Sequence, residues 1–192
     1  MLDKREKIGV LWREFVAGDE LSFAQIYSLL YDDLLSYGCR FGQGNRALVE
    51  DAIQDLFVKL YQKSLLLHDP RNLRAFLYRS LKNSLLNHLL RNAKLQDVEQ
   101  QEFNLTYTIN EANLVGQGIF SEEVHTLMRQ LTFRQKEIIY LRFAREMSFE
   151  DIAQVLEINE QSARNLLARS VEKMRKEVSS ATALLLLGTL LG

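Results

Sequence analysis

A chain of 192 residues with 47% hydrophobic and 26% charged side chains carries enough apolar material for one large or two small folded domains. A single cysteine, Cys39, excludes an internal disulfide framework, and one proline among nine glycines leaves few helix breakers. The net charge of −1 argues against a uniformly basic surface, but it is the sum of two opposed blocks. From Pro70 to Lys94 the charged residues are Arg71, Arg74, Arg79, Lys82, Arg91 and Lys94, with no acid; from Leu95 to Glu123 they are Asp97, Glu99, Glu102, Glu111, Glu122 and Glu123, with no Lys or Arg.

The opening MLDKREKIGVLWREF has charges but no uninterrupted apolar core, which predicts no signal peptide and a cytoplasmic protein. Residues 7 to 37 place Val10, Leu11 and Phe15, then Phe23, Ile26, Tyr27, Leu30, Leu34 and Tyr37 at helical spacing, with a break at Gly18-Asp19. Two amphipathic helices follow from that pattern. FGQGNR (41–46) is a glycine-containing connection that lacks the lysine and strand context of a phosphate loop.

Residues 47 to 63 predict a strong helix whose buried stripe is Val49, Ile53, Leu56, Phe57 and Leu60. Glu50, Asp51, Gln54 and Asp55 gather on its other side, where acids also suit the helix dipole. No pocket motif accompanies them, so catalysis by paired carboxylates is set aside. Asp69-Pro70 reads as a helix start. The helix beyond it buries Leu73, Phe76, Leu77, Leu81, Leu85 and Leu89 and leaves Arg74, Tyr78, Lys82, Asn83, Asn87 and Arg91 for an outer surface. Cations interleaved with an aromatic and amides suit melted nucleic acid, and a merely solvated cationic face is the competing reading.

Residues 95 to 120 lose the periodicity and read as an acidic, flexible linker. Helical pattern resumes with a cap at Ser121, and Thr132 and Gln135 stand at capping-box spacing before a helix reaching Ala144. Residues 148 to 176, SFEDIAQVLEINEQSARNLLARSVEKMRK, divide into a short helix, a turn and a longer helix. Ser148 caps the first with Asp151 in capping-box position, Glu157-Ile158 turn, and Asn159 caps the second. Ala163, Leu167, Ser170, Val171 and Met174 fall on one side of the second helix, with Gln161, Arg164, Asn165, Ala168, Arg169 and Lys173 opposite. That is the helix-turn-helix pattern for reading the major groove; a helical hairpin facing only water shares it. The closing ATALLLLGTLLG is too short to span a bilayer and reads as an apolar tail, 179–192, that packs on a domain or partner. His68, His88 and His125 are scattered, so neither a metal site nor a cofactor is predicted.

Taken together, these blocks resemble the extracytoplasmic-function (ECF) group of bacterial sigma factors, the initiation subunits of RNA polymerase. EDAIQDLFVKLYQ is similar to the E-D-x-x-Q-D-x-F segment of the family's region two, and LTFRQKEIIYLRFAREMSFEDIAQVLEINEQSARNLLARSVEKMRK looks like region four. The resemblance implies an all-α fold of two helical domains, 7–94 and 121–178, joined by the linker. It assigns Glu50, Asp51, Gln54 and Asp55 to the polymerase β′ clamp helices, with the β flap as a further contact. It assigns Arg74, Tyr78, Lys82, Asn83, Asn87 and Arg91 to the minus-ten element, where Asn83 and Asn87 match an N-x-x-x-D spacing with Asn replacing the acid. The loop at 64–70 (SLLLHDP) would help capture a flipped-out base. Gln161, Ser162, Arg164, Asn165, Arg169 and Lys173 would meet the minus-thirty-five element. The implied partners are core polymerase, promoter DNA and an anti-sigma factor, with no enzymatic activity and no small-molecule substrate. The chain departs from the family at Glu157, where glycine is usual, at Leu166, where an arginine is usual, and at Arg169-Ser170-Val171, where an R-A-R run is usual. A stand-alone helix-turn-helix regulator is the alternative; it accounts for 121–178 but leaves the EDAIQDLF helix without a purpose.

Overall fold

The structure, a computed structural model, describes residues 4–41, 45–62, 72–93 and 130–177. All the regular structure among them is helical. The chain separates into two compact units, Met1–Val98 and Glu99–Gly192.

In the first unit, α1 (Lys4–Val16), α2 (Glu20–Cys39), α3 (Arg46–Gln62) and α4 (Leu73–Ala93) surround one apolar core. The break between α1 and α2 falls at Gly18, whose φ of 108° is open to glycine, and Asp19 then caps α2 by accepting from the Leu21 amide at 3.1 Å. The central helix is α2, which packs against α1, α3 and α4. Ile26, Leu30 and Leu34 of α2, Val49 and Ile53 of α3, and Leu77, Leu81 and Leu85 of α4 are fully buried. Each contributes on the order of 1.5–3 kcal/mol through removal from water. An aromatic cluster joins α1, α2 and α3, with Phe15 to Phe23 at 4.7 Å, Phe23 to Tyr61 at 5.3 Å and Tyr27 to Phe57 at 4.8 Å between ring centroids.

In the second unit, Thr132 and Gln135 close the capping box at 3.0 and 3.3 Å and start α5 (Phe133–Ile139). The helix expected to reach Ala144 does so, but widens into a π turn over Tyr140–Ala144, where the Arg145 amide reaches back to the Tyr140 carbonyl at 3.2 Å. Next come α6 (Phe149–Leu156) and α7 (Glu160–Glu177), which close over Ile138, Ile139, Leu141, Met147, Ile152, Val155 and Ala163. The expected helix start at Asp69-Pro70, the linker at 95–120, the cap at Ser121 and the apolar tail at 179–192 lie outside the described residues.

Candidate nucleic-acid and protein interfaces

The turn between α6 and α7 is built by three side-chain choices. Ser148 Oγ accepts from the Asp151 amide at 3.1 Å and starts α6. At its end Glu157 adopts the left-handed conformation, φ 55° and ψ 46°, so that its own N–H and that of Ile158 both turn back to the Ala153 carbonyl. Asn159 Oδ1 then accepts from the Ser162 amide at 2.7 Å and starts α7. The position where the sequence departs from a glycine is therefore the position where the backbone requires positive φ.

Ala163 and Ser170 of α7 are fully buried, with Leu166, Leu167, Val171 and Met174 half-buried around them. The Ser170 hydroxyl donates to the Leu166 carbonyl at 2.7 Å, so a polar side chain is satisfied on the apolar face. Gln161, Arg164, Asn165, Ala168 and Arg169 are exposed, as the spacing predicts. The Gln161 amide donates to Asn165 Oδ1 at 3.1 Å, and Arg164 pairs with Glu160. Arg169 has no hydrogen bond or ion pair with the described residues. Ser162 is half-buried, with its amide taken by the Asn159 cap. Lys173 is also half-buried; its ammonium donates to the Gln130 carbonyl at 2.5 Å and ties α7 to the residue at which the described part of this unit begins.

On α3, Asp51, Gln54 and Asp55 are exposed on one face. Glu50 is set apart from them, accepting from Arg46 Nε at 2.8 Å and the Tyr31 hydroxyl at 3.3 Å. Burial and the neighbouring Glu50 carboxylate hold the Tyr31 hydroxyl above its usual pKa. Further along this helix Val58 and Tyr61 are 54% and 45% exposed. With Phe23, Tyr27, Gln54, Phe57 and Gln62 they line an open concavity of about 390 Å³, so an apolar depression adjoins the acidic face. Sequence patterning marked Phe57 as core and passed over Val58 and Tyr61, since an exposed apolar residue has the same letter as a buried one.

The cationic surface expected on α4 requires correction at two residues. Arg74 is 7% exposed and Tyr78 is fully buried. Arg74 Nη2 lies 3.8 Å from Asp33 Oδ2, a carboxylate that also takes Lys4 Nζ at 2.5 Å, and the Tyr78 ring lies 4.7 Å from Tyr37. The buried face of α4 is thus turned toward Arg74, Leu77, Tyr78, Leu81 and Leu85, while Phe76 and Leu89 are only half-buried. Among the residues that α4 presents to solvent are Arg79, Asn83, Asn87 and Arg91, each one turn from the next, with Lys82 half-buried beside them. Arg79 belongs to this stripe, and the i, i+4 spacing from Asn83 was the signal that could have added it to the expected set.

Two family models match this sequence: sigma-70 region 2 over residues 26–95, and sigma-70, region 4 over residues 121–174. The chain belongs to the sigma-70 family. Region 2 thus covers most of α2 with α3 and α4, and region 4 covers α5, α6 and nearly all of α7. Among curated proteins, none matches this sequence. The two regions, in this order, make the protein a sigma factor for promoter recognition and transcription initiation, and the stand-alone regulator is not favoured. Sigma factors are known as non-enzymatic initiation factors, and their regions 2 and 4 imply interaction with core RNA polymerase and promoter DNA. Among the described residues no helix is long and apolar enough to cross a membrane.

Proposed function

We propose that this sigma factor is of the ECF type and acts in the cytoplasm through two separate grips on the initiation complex. The matched regions are separated only by residues 96–120, too few for another domain of ordinary size, roughly 50 residues or more. That short separation is the observation that carries the reading. The domains are assigned to 7–94 and 121–178.

In the first domain Asp51, Gln54 and Asp55 offer carboxylates and an amide to the β′ clamp helices, with Glu50 bracing the helix through Arg46 and Tyr31. The adjoining depression lined by Tyr27, Phe57, Val58 and Tyr61 supplies apolar area to the same contact and to an inhibitory anti-sigma factor that competes for it. Asn83, Asn87 and Arg91, with Lys82 at their side, face the melted minus-ten strand; Arg74 and Tyr78 support that surface from beneath. In the second domain, which also meets the β flap, α7 enters the major groove at the minus-thirty-five element. Gln161, Arg164 and Asn165 stand near its N-terminal turns and Arg169 further along. Ser162 contributes through its capped amide and Lys173 holds the rear of the helix. Run-off transcription with purified core polymerase tests the proposal. Defined start sites that require this chain, and are lost on adding its anti-sigma factor, are expected. Tight binding of promoter duplex without polymerase would contradict it.

A further inference from the structure

Arg164 lies in the second turn of α7, 50% exposed, and two neighbours hold its side chain. Its Nη2 pairs with the Glu160 carboxylate one turn back. Its guanidinium carbon lies over the Phe149 ring, 4.4 Å from the centroid. Phe149, at the start of α6, also has Arg142 over its ring at 5.1 Å, and Arg142 Nη1 donates to the Met147 carbonyl at 2.8 Å. The ring under Arg164 is therefore held by a second cation that is itself tethered to backbone. Arg169 has no such arrangement among the described residues.

We propose that Arg164 reads a base edge, that Arg169 anchors a phosphate, and that Phe149 and Glu160 are the positioning residues of Arg164. The proposal rests on α7 being the promoter-reading helix. A phosphate anchor works by bringing a full positive charge to the backbone and releasing counterions. The Arg164–Glu160 pair is close to neutral as a unit, and its carboxylate repels a phosphate. A base edge rewards something else: N–H donors held in a fixed plane. Glu160 takes one N–H of Nη2 and one face of the guanidinium lies on Phe149; the other Nη2 N–H, with the neighbouring Nη1 or Nε, keeps a two-donor edge for the O6 and N7 acceptors of a guanine. Holding the side chain before binding also removes part of the ordering cost that a free arginine meets on contact. Among the described residues nothing pairs with Arg169, which leaves its charge available and suits a phosphate.

The test uses holoenzyme reconstituted from the full chain and core polymerase, bound to a duplex promoter library randomised across the upstream element at several salt concentrations. Wild type is expected to prefer guanine at one base pair by about tenfold or more. Arg164→Ala and Arg164→Lys should both abolish that preference, the lysine variant with the salt slope unchanged. Arg169→Ala should keep the preference and reduce the salt slope by about one. Phe149→Leu should weaken the preference; should it fail to fold, Glu160→Gln supplies the measurement, raising the salt slope by about one while the preference falls. Unchanged base preferences with a reduced slope in Arg164→Ala would overturn the assignment. Folded Phe149→Leu and Glu160→Gln variants with wild-type preference would remove their positioning role. A wild-type holoenzyme without base preference anywhere in the upstream element would instead show that α7 is not the reader.

Discussion

Gly38 of α2 lies so close to Val49 of α3 that a methyl group at its Cα would overlap Val49 Cγ1 and come within 3.3 Å of Leu85 Cδ1. Here α2, α3 and α4 touch. Gly38→Ala should destabilise the first unit by about 1–3 kcal/mol through overpacking, against a gain below about 1 kcal/mol from helix propensity. Urea unfolding followed by circular dichroism measures the difference, and a stabilised variant would contradict the packing described.

Glu157 is the converse case, a side chain where the backbone favours none. Its φ of 55° ends α6, and replacing it with glycine removes a left-handed strain of about 1–2 kcal/mol while adding unfolded-state entropy worth about 0.5–1 kcal/mol. Glu157→Gly should therefore raise stability by up to about 1 kcal/mol, read as a higher thermal midpoint. Glu157→Val, β-branched at the same φ, should lower it.

The two caps either side of that turn have separate partners. Ser148→Ala removes the acceptor for the Asp151 amide and Asn159→Ala the acceptor for the Ser162 amide. Each should cost about 1 kcal/mol, and the double variant should come close to the sum if the caps act independently. Denaturation of the three variants by urea checks both claims.

Asp51 and Asp55 are exposed acids on α3, away from the apolar core. Reversing both, Asp51→Lys with Asp55→Lys, should leave the unfolding midpoint within about 0.5 kcal/mol of wild type, as surface changes do. Affinity for core polymerase should fall by about tenfold or more, with a steeper loss at low salt where charge contacts count most. Equal affinity in a pull-down or fluorescence titration would sink the assignment of this face.

Arg74→Met should behave as a structural change. It takes one cation from Asp33 and removes the guanidinium from its place 5.9 Å over the Tyr78 ring. A loss of about 2–3 kcal/mol is expected, with transcription from different promoters reduced alike. Asn83→Ala should do the reverse, sparing stability while altering output in a promoter-dependent way. Melting curves combined with run-off assays on several promoters separate the two patterns.

Much of this fold was legible because its signals are local. Ser148, Asn159, Thr132 with Gln135, and Gly18-Asp19 each act within a few residues, and the structure places a cap or break at every one. The exposed face of α7 was equally readable, since its small apolar set leaves little choice of inward side. On α4 apolar residues are more plentiful than one face needs, and periodicity alone could not say which of them turn inward. Tyr37 and Asp33, far back along α2, decided that question by drawing Tyr78 and Arg74 in. The left-handed Glu157 was foreseeable only as a departure from the related sequences, and the Phe149 platform beneath Arg164 was not foreseeable from spacing at all.

The bond from Lys173 to the Gln130 carbonyl brings the beginning of the described second unit beside the rear of its last helix. That helix has 18 residues and so extends about 27 Å, which sets its last residue, Glu177, about 20 Å from Arg164 and about 24 Å from Gln161 along the axis. The described part of this unit therefore begins and ends beside the C-terminal half of α7, away from the turns that carry Gln161 and Arg164. A fluorophore attached at the exposed Lys176 should therefore leave promoter binding by α7 unaffected.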